Sequence, residues 1–256
     1  MMRHLVAGYR RVQDLALPER LMVRGFIARH LAATARPGGT CLDVGAGTAP
    51  FAAALAAAVP GLRHLAVDRF PGDRTDLAAD AAALPFADAT ISIVCLFQVL
   101  SHLPEPDAAL REARRVLAPG ACLLISYPLL CPEGRSRDLW RWTRPGMDRL
   151  LQRAGFRVAA HETMGGAASF ATGLLALVPG RLLIAHRRGW QAGRSRGDAL
   201  RVALAFALAL PFHLLGFPAL AIDRLGRRPP AFYIGGMVLA CRDDDAARGS
   251  GAIPDG

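Results

Sequence analysis

From residue 40 to residue 160, short apolar runs of strand length alternate with segments of helix length, an order that few folds satisfy. Apolar runs at 40–44, 62–67, 76–79, 91–96, 121–127 and 156–160 read as six strands. A seventh falls at 232–241, far from the sixth in sequence. Helical patterns occupy 19–34, 49–59, 106–117 and 145–154. In the first of them Leu21, Phe26, Ile27 and Leu31 are available for one buried face. Strands alternating with helices predict an α/β fold: a Rossmann-like, seven-stranded, mostly parallel sheet with helices on both faces. The same reading divides the chain into an N-terminal helical segment at 1–36, a core at 37–163, a hydrophobic helical insertion at 164–230, a core-completing strand at 231–242 and a disordered tail at 243–256.

In a sheet of this kind, ligands bind outside the carboxyl ends of the strands. Asp43 to Thr48, Asp68, Asp80 and Phe97-Gln98 all fall at predicted strand ends, so they line one crevice. The turn Asp43-x-Gly45-x-Gly47 lets backbone approach a ligand, because glycine lacks the Cβ that would collide. Alone, such a turn fits several classes of nucleotide binder, or a purely structural strand-to-helix turn. Asp68 adds a carboxylate that can accept hydrogen bonds from both ribose hydroxyls of an adenosine. Asp80-Ala81 sits where an adenine amino group could be read. A dinucleotide fingerprint would put its last glycine at Pro50, so that motif is incomplete. A P-loop needs a lysine, and the chain has none.

Four stretches, CLDVGAGTAPF, HLAVDRFPG, the run at 80–130 and LWRWTRPGMDRLLQRAGFRV, carry a family resemblance. Over about 39–158 the chain resembles the class I S-adenosylmethionine-dependent methyltransferases of the broad type 11 group. The resemblance implies S-adenosylmethionine as cofactor. Gly45 and Gly47, with Ala46 between them, would approach its methionine portion, and Asp43 would orient the turn. Asp68, with Arg69 beside it, would bind the ribose. Asp80 and Ala81 would meet the adenine, and Phe97 and Gln98 would wall the sulfonium. Two positions depart from the pattern: Ala49 replaces a common glycine, and Ser92 stands where many relatives have Asp. Asp138, Trp140 and Arg141 resemble the D-x-W-R-x-T stretch of methyltransferases from cell-surface polysaccharide and glycolipid pathways, which implies either substrate contact or loop support.

Methyl transfer from a sulfonium needs mainly alignment of the acceptor, and a general base only where the acceptor must lose a proton. His102 is the candidate base; capping or packing at a helix end is its alternative role. The expected function is methylation of a small-molecule, glycan or lipid-linked acceptor. A non-catalytic S-adenosylmethionine-binding scaffold is the alternative from another class. An RNA methyltransferase is favoured only by the net charge of +10. Against nucleic acid as a partner, no aromatic-interleaved basic patch for stacking bases is present.

Every basic residue in that charge is Arg, which removes lysine bases and Schiff-base chemistry from consideration. None of the cysteines forms a C-x-x-C pair, so neither a metal site nor a disulfide framework is expected. Cys41, Cys95, Cys122 and Cys241 fall in apolar strand-like runs, as buried free thiols do. No apolar stretch within 1–11 is long enough for a signal peptide, which predicts a cytoplasmic protein. Residues 202–222 carry no formal charge, a length sufficient to span a bilayer. Two crossings would export the arginine-rich stretch at 186–198, against the positive-inside rule. Segment 165–228 is therefore expected to rest on an anionic membrane surface, making the protein peripheral on the inner face. A hydrophobic cap, packed on the sheet or on a second subunit, is the competing expectation.

Overall fold

A computed structural model of the chain describes residues 18–35, 37–130, 138–184, 204, 207–208, 211–212, 214–215, 218–219, 221–223 and 233–243. Outside them lie Cys131, Phe232, the stretches at 1–11 and 186–198, the tail at 244–256 and much of 202–222. The elements run α1 (Pro18–Thr34), β1 (Thr40–Val44), α2 (Ala52–Ala58), β2 (Arg63–Asp68), β3 (Leu77–Ala78), β4 (Ile91–Phe97), a 3-10 turn (Leu100–His102), α3 (Pro106–Val116), β5 (Leu117–Pro128), α4 (Arg144–Arg153), β6 (Phe156–Met164), α5 (Ala167–Ile184) and β7 (Gly235–Arg242).

These strands form one seven-stranded sheet in the order β3-β2-β1-β4-β5-β7-β6. The first five pair in parallel, and β7 runs antiparallel to β5 from Cys122↔Cys241 to Pro128↔Gly235. The Rossmann-like, mostly parallel sheet expected from the sequence is therefore present. Its order reverses between β1 and β4, which leaves a crevice at their carboxyl ends.

Several boundaries differ from expectation for local reasons. Helix α2 begins at Ala52 rather than 49, because Ala49 has φ +49° and cannot continue a right-handed helix. Strand β5 begins at Leu117, not 121, and is paired there through an irregularity between Ile91 and Ile93. That irregularity accommodates Pro119, which has no N–H for a regular ladder. Strand β6 runs to Met164, and β7 starts at Gly235. In α1, Phe26, Ile27 and Leu31 are buried as expected, but Leu21 is exposed; Met22 and Val23 take the inner face. Helix α4 is capped by Thr143, whose hydroxyl accepts from the Gly146 N–H. The four strand cysteines are buried and free.

The chain divides into two compact units, one of Val23–Glu162 with Gly235–Gly256 and one of Met1–Met22 with Thr163–Ile234. The first holds the core, in which Leu42, Val94, Leu123 and Ile125 of the sheet are buried with Leu110 and Met147 of the helices. In the second, the Ile234 N–H donates to Met164 O at 2.9 Å, and the Gly165 N–H lies 3.1 Å from Met22 Sδ. Among the described residues no helix is long and apolar enough to cross a membrane.

Candidate functional site

A buried strand running into a glycine turn sets the floor of the site. Asp43, near the end of β1, is almost fully buried and faces His64 Nε2 at 3.3 Å. The Gly45 and Ala46 N–H groups both donate to Val67 O of β2, at 2.7 and 3.2 Å, which folds the turn toward the neighbouring strand. Gly45 has φ +71°, and a Cβ there would lie 2.5 Å from Val99 Cγ2. Gly47, at φ +53°, sends its N–H to Asp68 Oδ2 at 3.0 Å, while Asp68 Oδ1 accepts from the Phe70 N–H at 2.9 Å. Asp68 thus ties the turn after β1 to the loop after β2. Each of its oxygens keeps a further acceptor position.

The next strand end brings a second carboxylate. Asp80 Oδ1 accepts from the Ala82 N–H at 3.0 Å, and Oδ2 lies 3.4 Å from the Arg69 guanidinium. Beyond it, Arg115 of α3 donates to Phe86 O and Leu84 O, while Glu112 accepts from the Leu84 N–H at 2.8 Å. Hydrogen bonds from Arg115 hold the Glu112 carboxyl below its usual range, against the opposing effect of burial. This clamp fixes the loop that follows Asp80.

On the far side, Gln98 has φ +59°, a left-handed conformation unusual for a residue with a side chain. Its N–H donates to Ser126 O at 2.9 Å, which turns the chain at the end of β4. The ring of Phe97 packs on Phe51, with centroids 4.6 Å apart. His102 closes the 3-10 turn and is exposed.

A cavity of about 310 Å3 opens among these elements, lined by Gly45, Asp68, Arg69, Asp80, Ala81 and Gln98, with Val99, His102 and Leu103 on its other wall. Of the residues singled out from sequence, these seven (counting His102) line it; Asp43, Ala46, Gly47 and Phe97 do not. The lining suits an adenosine joined to a small chain: two carboxylates, a turn whose Gly45 leaves no room for a Cβ, and apolar walls. Among the described residues no cluster could hold a metal ion.

Segment 138–143 runs beside this wall. The Leu139 N–H donates to Ser101 O, and Trp140 Nε1 donates to Leu103 O, both at 2.8 Å. Arg141 chelates Asp138, with Nη2 2.6 Å from Oδ2, and its Nη1 also donates to Trp140 O at 2.9 Å. Trp140 is 41% exposed and stacks on Trp142 at 6.4 Å.

Sequence reasoning missed a buried chain behind Trp142. The Tyr127 hydroxyl lies 2.7 Å from His161 Nε2, and His161 Nδ1 lies 2.6 Å from Asp148 Oδ1. Burial pushes the His161 imidazole below the ordinary histidine range; Asp148 opposes this and Arg144 adds to it. A neutral His161 with its proton on Nδ1 satisfies both neighbours. The three residues come from β5, β6 and α4, and no local motif announces them.

Comparisons with known proteins bear on this site. The profile of a family described as a methyltransferase domain matches residues 19–161. An uncharacterized methyltransferase of Mycobacterium avium is 38% identical over 102 residues, covering 35% of this chain and 40% of that protein. The malonyl-(acyl-carrier protein) O-methyltransferase of Alcanivorax borkumensis is 32% identical over 136 residues, covering 47% of this chain and 46% of that protein. The chain thus spans less than half the length of these curated relatives. Among solved structures, the cyclase SpnF aligns over 87% of this chain and 80% of its own, with a TM-score of 0.55 and 20% identity. That likeness is one of fold alone.

Proposed function

The chain belongs to the class I S-adenosylmethionine-dependent methyltransferases, and from that premise we propose that the cavity beyond β1, β2 and β4 holds S-adenosylmethionine while an acceptor meets it from the side of His102 and Trp140. S-adenosylmethionine supplies a methyl group on a positively charged sulfur, so the protein contributes mainly alignment. Gly45 allows backbone to lie against the methionine portion. Asp68 accepts from the ribose hydroxyls with its remaining lone pairs, and Asp80 with Ala81 meets the adenine. Gln98 and Phe97 fix the wall beside the reacting methyl. Where the acceptor is a hydroxyl, His102 takes its proton. The Asp138–Arg141 pair acts by holding Trp140 at the cavity edge.

The acceptor is a small molecule, a glycan or a lipid-linked group. The relative whose name records O-methylation of an acyl-carrier-bound malonyl group favours an oxygen acceptor presented on a carrier. A lipid-linked acceptor would be met on the cytoplasmic face of a membrane. The observation that carries the cofactor reading is Asp68, whose carboxylate joins the glycine turn to the β2 loop within the cavity lining. Calorimetry with S-adenosylmethionine should give saturable binding that Asp68→Ala abolishes; absence of binding by the parent chain sinks the proposal. Transfer of a labelled methyl group to small-molecule, glycan or lipid extracts would then identify the acceptor class. Binding with no transfer to any of them would make the chain a scaffold instead.

A further inference from the structure

Neither Tyr127, His161 nor Asp148 lines the cavity, yet the buried chain that they form ends beside its wall. Tyr127 is the next-to-last residue of β5 and is fully buried. Its ring meets Trp142 edge to face, with centroids 6.5 Å apart and planes at 87°. Trp142 stacks on Trp140, and Trp140 Nε1 donates to the carbonyl of Leu103, a lining residue. Three rings thus bridge the sheet to the cavity wall, at separations typical of attractive aromatic pairs.

The other end of the chain closes a circuit. Thr143, directly after Trp142, caps α4. Asp148 follows in that helix and holds His161 Nδ1 at 2.6 Å, while His161 Nε2 lies 2.7 Å from the Tyr127 hydroxyl. The path from Trp142 through α4, Asp148, His161 and Tyr127 therefore returns to Trp142. All of these residues belong to the core unit. A phenylalanine and a leucine would fill the space of Tyr127 and His161 without the cost of burying polar groups. What a hydrogen-bonded chain adds is direction, since each bond fixes a ring at one distance and one angle.

We infer that Tyr127, His161 and Asp148 are positioning residues, which set Trp142 and through it the Trp140 indole against the acceptor side of the cavity. The inference rests on the acceptor approaching from the side of His102 and Trp140, and two measurements separate it from that reading. The first is magnetic resonance of the full chain, with the Trp140 indole signal assigned by its loss in Trp140→Phe. Asp148→Ala should speed solvent exchange of that indole N–H about fivefold or more, the scale of one lost buried hydrogen bond. Asp148→Asn, whose Oδ1 still accepts from His161, should restore the parent rate. The Gly47 amide and the calorimetric affinity for S-adenosylmethionine should not change. If Asp148→Ala fails to fold, Tyr127→Phe, which keeps the ring and cuts the same chain, replaces it. The second measurement uses labelled S-adenosylmethionine and the extract that accepts its methyl group. There Asp148→Ala should raise the apparent KM for the extract about fivefold and leave kcat within about twofold. An unchanged Trp140 exchange rate overturns the inference, as does equal acceleration of the Gly47 amide, which marks a general loss of stability. Faster exchange with an unchanged apparent KM also overturns it, because the acceptor then does not meet Trp140. If no extract is methylated, the methyl-transfer reading fails, and the exchange rates alone decide whether the chain positions Trp140.

Discussion

Two residues at the carboxyl ends of β1 and β4, Gly45 and Gln98, show what a sequence discloses and what it withholds. Gly45 is legible, because a glycine after a buried Asp-bearing strand announces a turn that a side chain cannot enter. Its φ of +71° and the 2.5 Å approach of Val99 Cγ2 give the physical reason. Gly45→Ala should therefore cost about 1–3 kcal/mol of backbone strain, read as a lower melting temperature together with weaker S-adenosylmethionine binding by calorimetry. Gln98 shares the left-handed conformation, yet nothing in its residue type predicts it. The turn at the end of β4 imposes it through the bond to Ser126 O. His161 is equally silent in sequence, and its burial makes a pH prediction. Because its folded pKa is depressed, the unfolded chain binds more protons as pH falls below about 6.5. The stability it contributes is therefore complete above that value and lost on acidification toward the folded pKa. The groups facing it are Asp148, Tyr127 and Arg144. A melting-temperature series across that window should slope downward with acid, and His161→Gln should flatten the slope.

Among elements, the strands that alternate in hydropathy with helices were readable as far as their interiors, while their ends depended on partners. Strand β5 could not be delimited from its own residues, because the irregularity opposite Ile91 and Ile93 extends its pairing back to Leu117. Strand β7 lies 71 residues after β6 begins to give way to α5, by the difference between Met164 and Gly235. Only the apolar run marks it, and its antiparallel pairing with β5 is settled by register rather than by any local signal. One contact makes that register exacting. A Cβ on Gly236 would lie 2.3 Å from Tyr127 Oη and Cζ, and Tyr127 is fixed in turn by His161. Gly236→Ala must therefore displace either the strand or the ring. The expected loss is about 1–3 kcal/mol, the usual cost of overpacking a filled core. Tyr127 Cζ and Cε1 would still lie 2.3 and 2.6 Å from that Cβ, so Tyr127→Phe should recover little of the loss and Tyr127→Leu, which removes the ring, more. A double-mutant cycle on unfolding free energies would show whether the two sites couple. Additive losses would mean that the contact is not what confines β7.

For the whole molecule, the division into two units poses the question of how far each holds together without the other. Apart from β7, the core unit was foreseeable as an alternation, since its elements from β1 to β6 follow one another with short connections. The unit of Met1–Met22 and Thr163–Ile234 was foreseeable only as an apolar, basic interruption of the alternation. Its internal fastening was not, because Asp223 and Ser169 are separated by 54 residues and belong to no common motif. Burial would raise the Asp223 carboxyl, but its bonds from Ser169, Ala168 and Gly166 prevail and hold it below the ordinary aspartate range. Asp223 thus acts as an anionic N-terminal cap on α5, supplied from a distant part of the chain. Removing such a cap typically costs about 0.5–2 kcal/mol. Asp223→Ala should accordingly accelerate hydrogen exchange at the Ala168 and Ser169 amides, several-fold to about thirtyfold on that energy scale. The Gly47 amide, which donates to Asp68 in the other unit, serves as the internal comparison. If only the α5 amides respond, the second unit opens by itself and the cofactor turn is indifferent to it. If the Gly47 amide accelerates in step, the two units unfold as one cooperative body, and a substitution 155 residues beyond the site (from Asp68 to Asp223) would weaken cofactor binding as well.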